Sequence, residues 1–202
     1  MGSHAATTGV TIFVLAVVAL HLLQPGLDPF DQAVSYYVHG SSGWLLTVGL
    51  IALGMGSLAL ALSLRGVIAG PGTRAGRWLL GVWAVGALLG GIFSADPPGR
   101  WSEPPSVSGM IHGNAAMVAF LAFPPAALRL ARADAGSEGW RSRRRLLLAL
   151  AAASAISLVV FAVSLAPVFV RPGPPILLGL SERILLATYS AWLVAAATAA
   201  RE

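Results

Sequence analysis

Apolar and polar positions along this chain fall into long alternating blocks. Six apolar runs, about 6–23, 44–64, 77–94, 107–130, 146–169 and 181–200, come close to the roughly 20 residues one helix needs to cross a bilayer. The pattern predicts an all-α fold: a polytopic transmembrane bundle of six helices, with residues 1–202 as a single domain and no internal repeat. Gly86 and Gly90, four apart and followed by Gly91, predict close helix contact on the third helix. Pro124 and Pro125 predict a kink in the fourth helix, and Pro167 one near the end of the fifth. Between the first two runs, Asp28 before Pro29 reads as a helix N-cap with proline at the first helical position. Asp31 falls where a capping box puts its acid, and Phe30, Val34 and Tyr37 recur at helical spacing, with Asp31 and Ser35 on another face. A short helix lying in the membrane interface follows, with Tyr36 and Tyr37 suited to an aromatic belt or to a ligand contact.

Composition turns the pattern into a membrane assignment. The chain is 56% hydrophobic and 10% charged, more apolar surface than a soluble domain of this length can hide, so the bilayer is its expected solvent. Cysteine is absent, which removes disulfides and thiolate chemistry. The net charge of +5 rests entirely on arginine, since lysine is absent. Those arginines lie between apolar runs, as topology signals do, and no nucleic-acid partner is expected. Arg65, Arg74 and Arg77 mark the second–third connection, and Arg132, Arg141, Arg143, Arg144 and Arg145 the fourth–fifth. Only Arg100, Arg171 and Arg183 fall on the other side. The positive-inside rule then places both termini in the cytoplasm of a multi-pass cell-membrane protein.

The unusual side chains gather on the outer side. Asp96 stands where the third helix stops at a double proline, and His112 lies about one and a half turns into the fourth run. The intervening PPGRWSEPPS, stiffened by prolines and carrying Trp101, is a candidate lid. Ser108 and His112 share a helix face, with Asn114 on another; an ionisable group at that depth is costly unless it faces the interior. Ser181 is a candidate cap for the sixth helix, and Glu182 suits its N-terminus, sharing a face with Leu186 and Tyr189 while Arg183 points away. His21 ends the first run on the same side.

Four blocks, LQPGLDPFDQAVSYYVHGSSGWL, GIFSADPP, SGMIHGNAA and GLSERIL, resemble recurrent blocks of the domain-of-unknown-function 998 family of prokaryotic membrane proteins. The resemblance spans nearly the whole chain and implies a six-helix integral membrane bundle. It implies that Asp28, Asp31, Ser35, Gly40, Asp96, Pro97, Gly109, His112, Gly113, Glu182 and Arg183 occupy family motif positions. It implies no reaction.

The residues themselves support several readings. The leading one is a membrane enzyme using acid–base chemistry on a hydrophobic or lipid-like substrate. A carboxyl group in an apolar site keeps its proton to higher pH, which makes Asp96 or Glu182 a candidate acid, with His112 and Asp31 as catalytic partners. Its concrete version is a proton-initiated terpene cyclase without a cofactor, with Trp101, Tyr36, Tyr37, Tyr189 and Phe93 stabilising cations and Arg183, Ser35, His21 and Asn114 completing the substrate site. A metal-dependent lipid hydrolase would draw on Asp96, His112, His21 or His39 and Ser35, without a recognised metal motif. A haem protein would use His21 and His112 as axial ligands. A non-catalytic small-lipid binder, transporter or assembly protein would use the same outer pocket. The sequence carries no signal for an oligomeric state.

Overall fold

The computed structural model describes residues 2–100, 103–135, 137–170 and 174–201. Six long helices carry the chain: α1 Gly2–Leu23, α2 Trp44–Ser63, α3 Thr73–Ile92, α4 Val107–Ala131, α5 Glu138–Val170 and α6 Leu178–Ala199. The first five are long and apolar enough to cross a membrane. The sixth is of matching length but carries Glu182 and Arg183 near its start.

Small residues set the helix spacing. A side chain at Gly9 would run into the Ala52 carbonyl of α2, and one at Gly56 into the Ala5 carbonyl of α1, so α1 and α2 meet backbone to backbone. Gly86 faces Ala115 and Ala119 of α4, and Gly91 lies against Thr47 and Leu50 of α2, as the glycine spacing predicts. Gly86→Val is therefore expected to cost about 1–3 kcal/mol through overpacking. The readout is the midpoint of reversible unfolding in mixed micelles, and an unchanged midpoint would contradict the contact.

The middle of the core is aromatic. Phe123 and Tyr189 stack with centroids 4.0 Å apart, and Trp83 meets both edge-on. The Tyr189 hydroxyl donates to the Phe120 carbonyl at 2.8 Å, and the Trp83 indole donates to Ser57 at 3.1 Å. Buried polar groups in an apolar medium need such partners.

Both chain ends and both arginine-rich connections lie at one end of the bundle. Arg201 donates to the Ser3 carbonyl at 2.8 Å, and Gly2 lies against Ser63 at the end of α2. Two short strands, β1 Ile68–Ala69 and β2 Asp134–Ala135, pair antiparallel and tie the α2–α3 connection to the α4–α5 connection. Two-residue strands have no readable sequence period, and none was expected.

Several boundaries differ from the apolar runs. α5 begins at Glu138 rather than near 146, because Arg141 to Arg145 continue the helix; arginine is a good helix former. α6 begins at Leu178, and Ser181 does not cap it: its hydroxyl donates to the Leu178 carbonyl and pairs with Ser164 at 2.8 Å. α4 and α5 continue as helix through Pro124, Pro125 and Pro167. The expected interfacial helix does not start at Pro29. Asp28 closes a turn onto the Phe30 amide at 2.8 Å, Gln32 rather than Asp31 reaches back to the Asp28 amide, and a short 3-10 helix spans Val34–His39. Tyr36 and Tyr37 are buried rather than part of an interfacial belt.

Candidate functional site

At the end opposite the arginine-rich connections, α3 stops at Ile92 and leaves carbonyls without helical partners. Just past that end, Ser108 and His112, one turn apart on α4, take the next two carbonyls of the chain. The Ser108 hydroxyl donates to Ser94 O and His112 Nδ1 to Phe93 O, both at 2.9 Å. A carbonyl only accepts, so Nδ1 carries the hydrogen and Nε2 is left to face the cavity side. His39 of the 3-10 helix similarly donates from Nε2 to Ala95 O at 2.9 Å.

Asp96 lies beside this junction as an acceptor. Ser106 caps α4, its hydroxyl oxygen accepting the Gly109 amide at 3.0 Å, and its own amide donates to Asp96 Oδ2 at 3.0 Å. A side chain at Gly109 would displace the Asp96 carboxylate. Hydrogen bonds from the Ser106 hydroxyl and amide hold the Asp96 carboxyl below its usual value, helped by nearby Arg100 and His39. Asp96 thus serves as an acceptor at the start of α4, which favours Glu182 over it as the proton donor. A group with a depressed folded-state pKa adds stability above its unfolded pKa and loses it as pH falls through the folded one. The start of α4 is expected to hold from pH 8 down to about 5 and to loosen only below about 4, near and under the ordinary aspartate value. Hydrogen-exchange protection of the Gly109 and Met110 amides, corrected for intrinsic rate, reads this. Asp96→Asn should remove the acid-range dependence.

Glu182 is buried near the start of α6, and its Oε2 accepts the amide of Val34 at 2.6 Å. That amide opens the 3-10 helix and lacks a local side-chain cap, so the carboxyl supplies one from 148 positions away. Tyr36, on the same short helix, has its phenol pushed above the usual range, chiefly by burial.

Arg183, next in sequence, turns to the other side, where all three of its nitrogens donate. Its Nε donates to His21 Nε2, and its Nη1 to Gln32 O and Gly179 O, all at 2.9 Å. Its Nη2 donates to the Tyr37 hydroxyl at 3.3 Å. His21 completes the set by donating from Nδ1 to Val17 O at 2.7 Å. Both His21 nitrogens are therefore engaged, which argues against a haem or metal ligand there.

A cavity of ≈ 810 Å³ opens between the 3-10 helix, the 95–106 connection and the facing sides of α4 and α5. Among the expected site residues it brings together Asp96, His112, Glu182, Ser35, Tyr36 and Asn114. A smaller inner chamber of ≈ 50 Å³ lies behind it, and Ser35, His112, Ala116, Phe120 and Glu182 line both. Other expected residues stay outside. Asp31 is exposed. Arg183, His21 and Tyr37 form the separate cluster just described, Tyr189 belongs to the aromatic core, and Phe93 contributes only its carbonyl. Trp101 lies outside the described residues, so its place in a lid is not described; the flanking Pro97, Arg100, Glu103 and Pro104 do form the cavity rim. Phe120 and Phe161 supply aromatic walls that the sequence did not single out, because a phenylalanine in an apolar run carries no distinguishing mark. Among the described residues, no three His, Asp or Glu side chains gather as a metal-ligand group.

No curated protein and no solved structure matches this chain. The family described as "Protein of unknown function (DUF998)" matches residues 7–199, nearly the whole length, and includes every block that lines the cavity. The chain belongs to the DUF998 family.

Proposed function

We propose that this protein is an integral membrane enzyme that carries out acid–base chemistry on a hydrophobic substrate, most concretely a proton-initiated isoprenoid cyclase. The observation that carries the reading is that Glu182 and His112, both buried, line one large cavity whose remaining wall is mostly apolar and aromatic. In this reading all six helices span, the termini and arginine-rich connections face the cytoplasm, and the cavity opens toward the outer leaflet.

The chemistry assigns each group a role. The Val34 amide fixes Glu182 Oε2, leaving Oε1 to carry the proton. That proton adds to a substrate alkene, the resulting cation closes a ring onto a second alkene, and His112 Nε2 removes a proton from the adjacent carbon. The product is an isomer of the substrate, and the proton returns to Glu182 before the next turnover. Phe120, Phe161 and Tyr36 offer π faces to the cationic intermediate.

A second reading, a non-catalytic small-lipid binder, draws support from the capping role of Glu182, which gives that carboxyl a structural duty. Incubating the purified protein in lipid nanodiscs with acyclic polyprenes separates the two. A cyclic product of unchanged mass supports the enzyme, and saturable binding without product supports the binder.

A further inference from the structure

We infer that the cavity is loaded sideways from the hydrocarbon layer, through the cleft between α4 and α5, and that its ligand is a membrane amphiphile with a neutral polar end. This rests on the membrane-embedded cavity proposed above and adds the route and the ligand class. Gly113 and Asn114 are exposed on the outside of α4 and yet line the cavity. Met117, one turn further, is 36% exposed and lines it too. The opposite lip is Leu165 and Val168 of α5. A side chain added at Gly113 would meet nothing within 4 Å, so the wall is open at that point.

Depth makes this opening lateral. Gly113 and Met117 lie about 9 and 15 Å along α4 from its first residue, Val107, at 1.5 Å per residue. If α4 spans, both sit beside acyl chains rather than water. The cavity has opposite characters at its two ends. Phe120 and Phe161 line its deeper part, whereas Asp96, Arg100, Glu103 and Ser106 form its rim. The chain of an amphiphile fits the former and its polar end the latter. Arg100 is already ion-paired with Glu103, and Asp96 adds a further carboxylate, so the formal charge of the three is −1. Such a rim disfavours a phosphate and suits a hydroxyl.

The test uses the full chain in phosphatidylcholine vesicles with a long-chain alcohol carrying a diazirine at mid-chain. Phe120 and Phe161 are 8% and 7% exposed, so adducts on them report entry into the cavity. Leu121, on the outer face of α4, reports ordinary lipid contact. The expected result is adducts on Phe120 or Phe161 that fall at least tenfold in Gly113→Trp and persist in Gly113→Ala, with Leu121 adducts unchanged in both. An unchanged unfolding midpoint in mixed micelles shows that the tryptophan variant remains folded. Equal cavity labelling in Gly113→Trp would overturn the lateral route. Equal labelling by the matching long-chain phosphate would overturn the neutral-head assignment. Cavity adducts without any cyclic product would leave the route standing and remove the cyclase. Turnover indifferent to Gly113→Trp would do the reverse.

Discussion

Glu182→Gln is expected to lower turnover by about 10²–10⁴-fold, the usual contribution of a positioned general acid, while substrate binding changes only a few-fold. The substitution is nearly isosteric. A glutamine carbonyl can still accept the Val34 amide, so the cap on the 3-10 helix and the wall of the cavity survive. What disappears is the transferable proton. His112→Asn is the matched experiment on the base: its side-chain amide can still donate to the Phe93 carbonyl, whereas the basic Nε2 is gone. It should slow turnover and shift the product mixture. Asp96→Asn should leave turnover near the wild-type level, because Asp96 is a cap acceptor in this account. If Glu182→Gln keeps wild-type turnover, the assignment of the acid is wrong. Unfolding midpoints measured alongside show that a loss of turnover is not a loss of fold.

Arg183→Met is expected to destabilise the fold by on the order of 3 kcal/mol, since hydrogen bonds to charged groups contribute roughly 1.5–3 kcal/mol each and do not add fully. Arg183 joins α1 through His21, the connection before the 3-10 helix through Gln32 O, and α6 through Gly179 O. Methionine keeps much of the volume but leaves His21 Nε2 and the Gln32 carbonyl without their donor. Lysine should recover little, because one ammonium cannot reproduce the planar fork. The measurement is the unfolding midpoint in mixed micelles. A raised KM with unchanged stability would instead return Arg183 to the substrate-binding role that the sequence suggested.

The difference between these two neighbours shows what the sequence could reveal. Glu182 and Arg183 stand out together because charges are rare in this chain, and that rarity also exposed Asp96 and His112. Ionisable groups in apolar helices must find partners or a cavity, so identifying them was a physical inference and not a matter of local pattern. Their partners were not legible. Glu182 caps the amide of Val34, far away in sequence, and for that reason the short helix starts at Val34 and not at Pro29. Asp96 looked like an acid near a bilayer face; only the Ser106 amide and hydroxyl reveal it as an acceptor. Helix positions followed from apolar runs because a bilayer imposes length directly. α5 overran its apolar run because its arginines extend a helix as well as marking a side. Phe120 and Phe161 were invisible for the opposite reason: in a chain this apolar, a cavity wall and a lipid-facing side share one alphabet.

If a proton held by Glu182 starts the reaction, turnover in deuterium oxide must mark the product. With an acyclic polyprene as substrate, the account predicts a cyclic product carrying one non-exchangeable deuterium at the carbon first protonated, and no such product from Glu182→Gln. A cyclic product without carbon-bound deuterium, or saturable binding of the polyprene with no cyclic product, would contradict it.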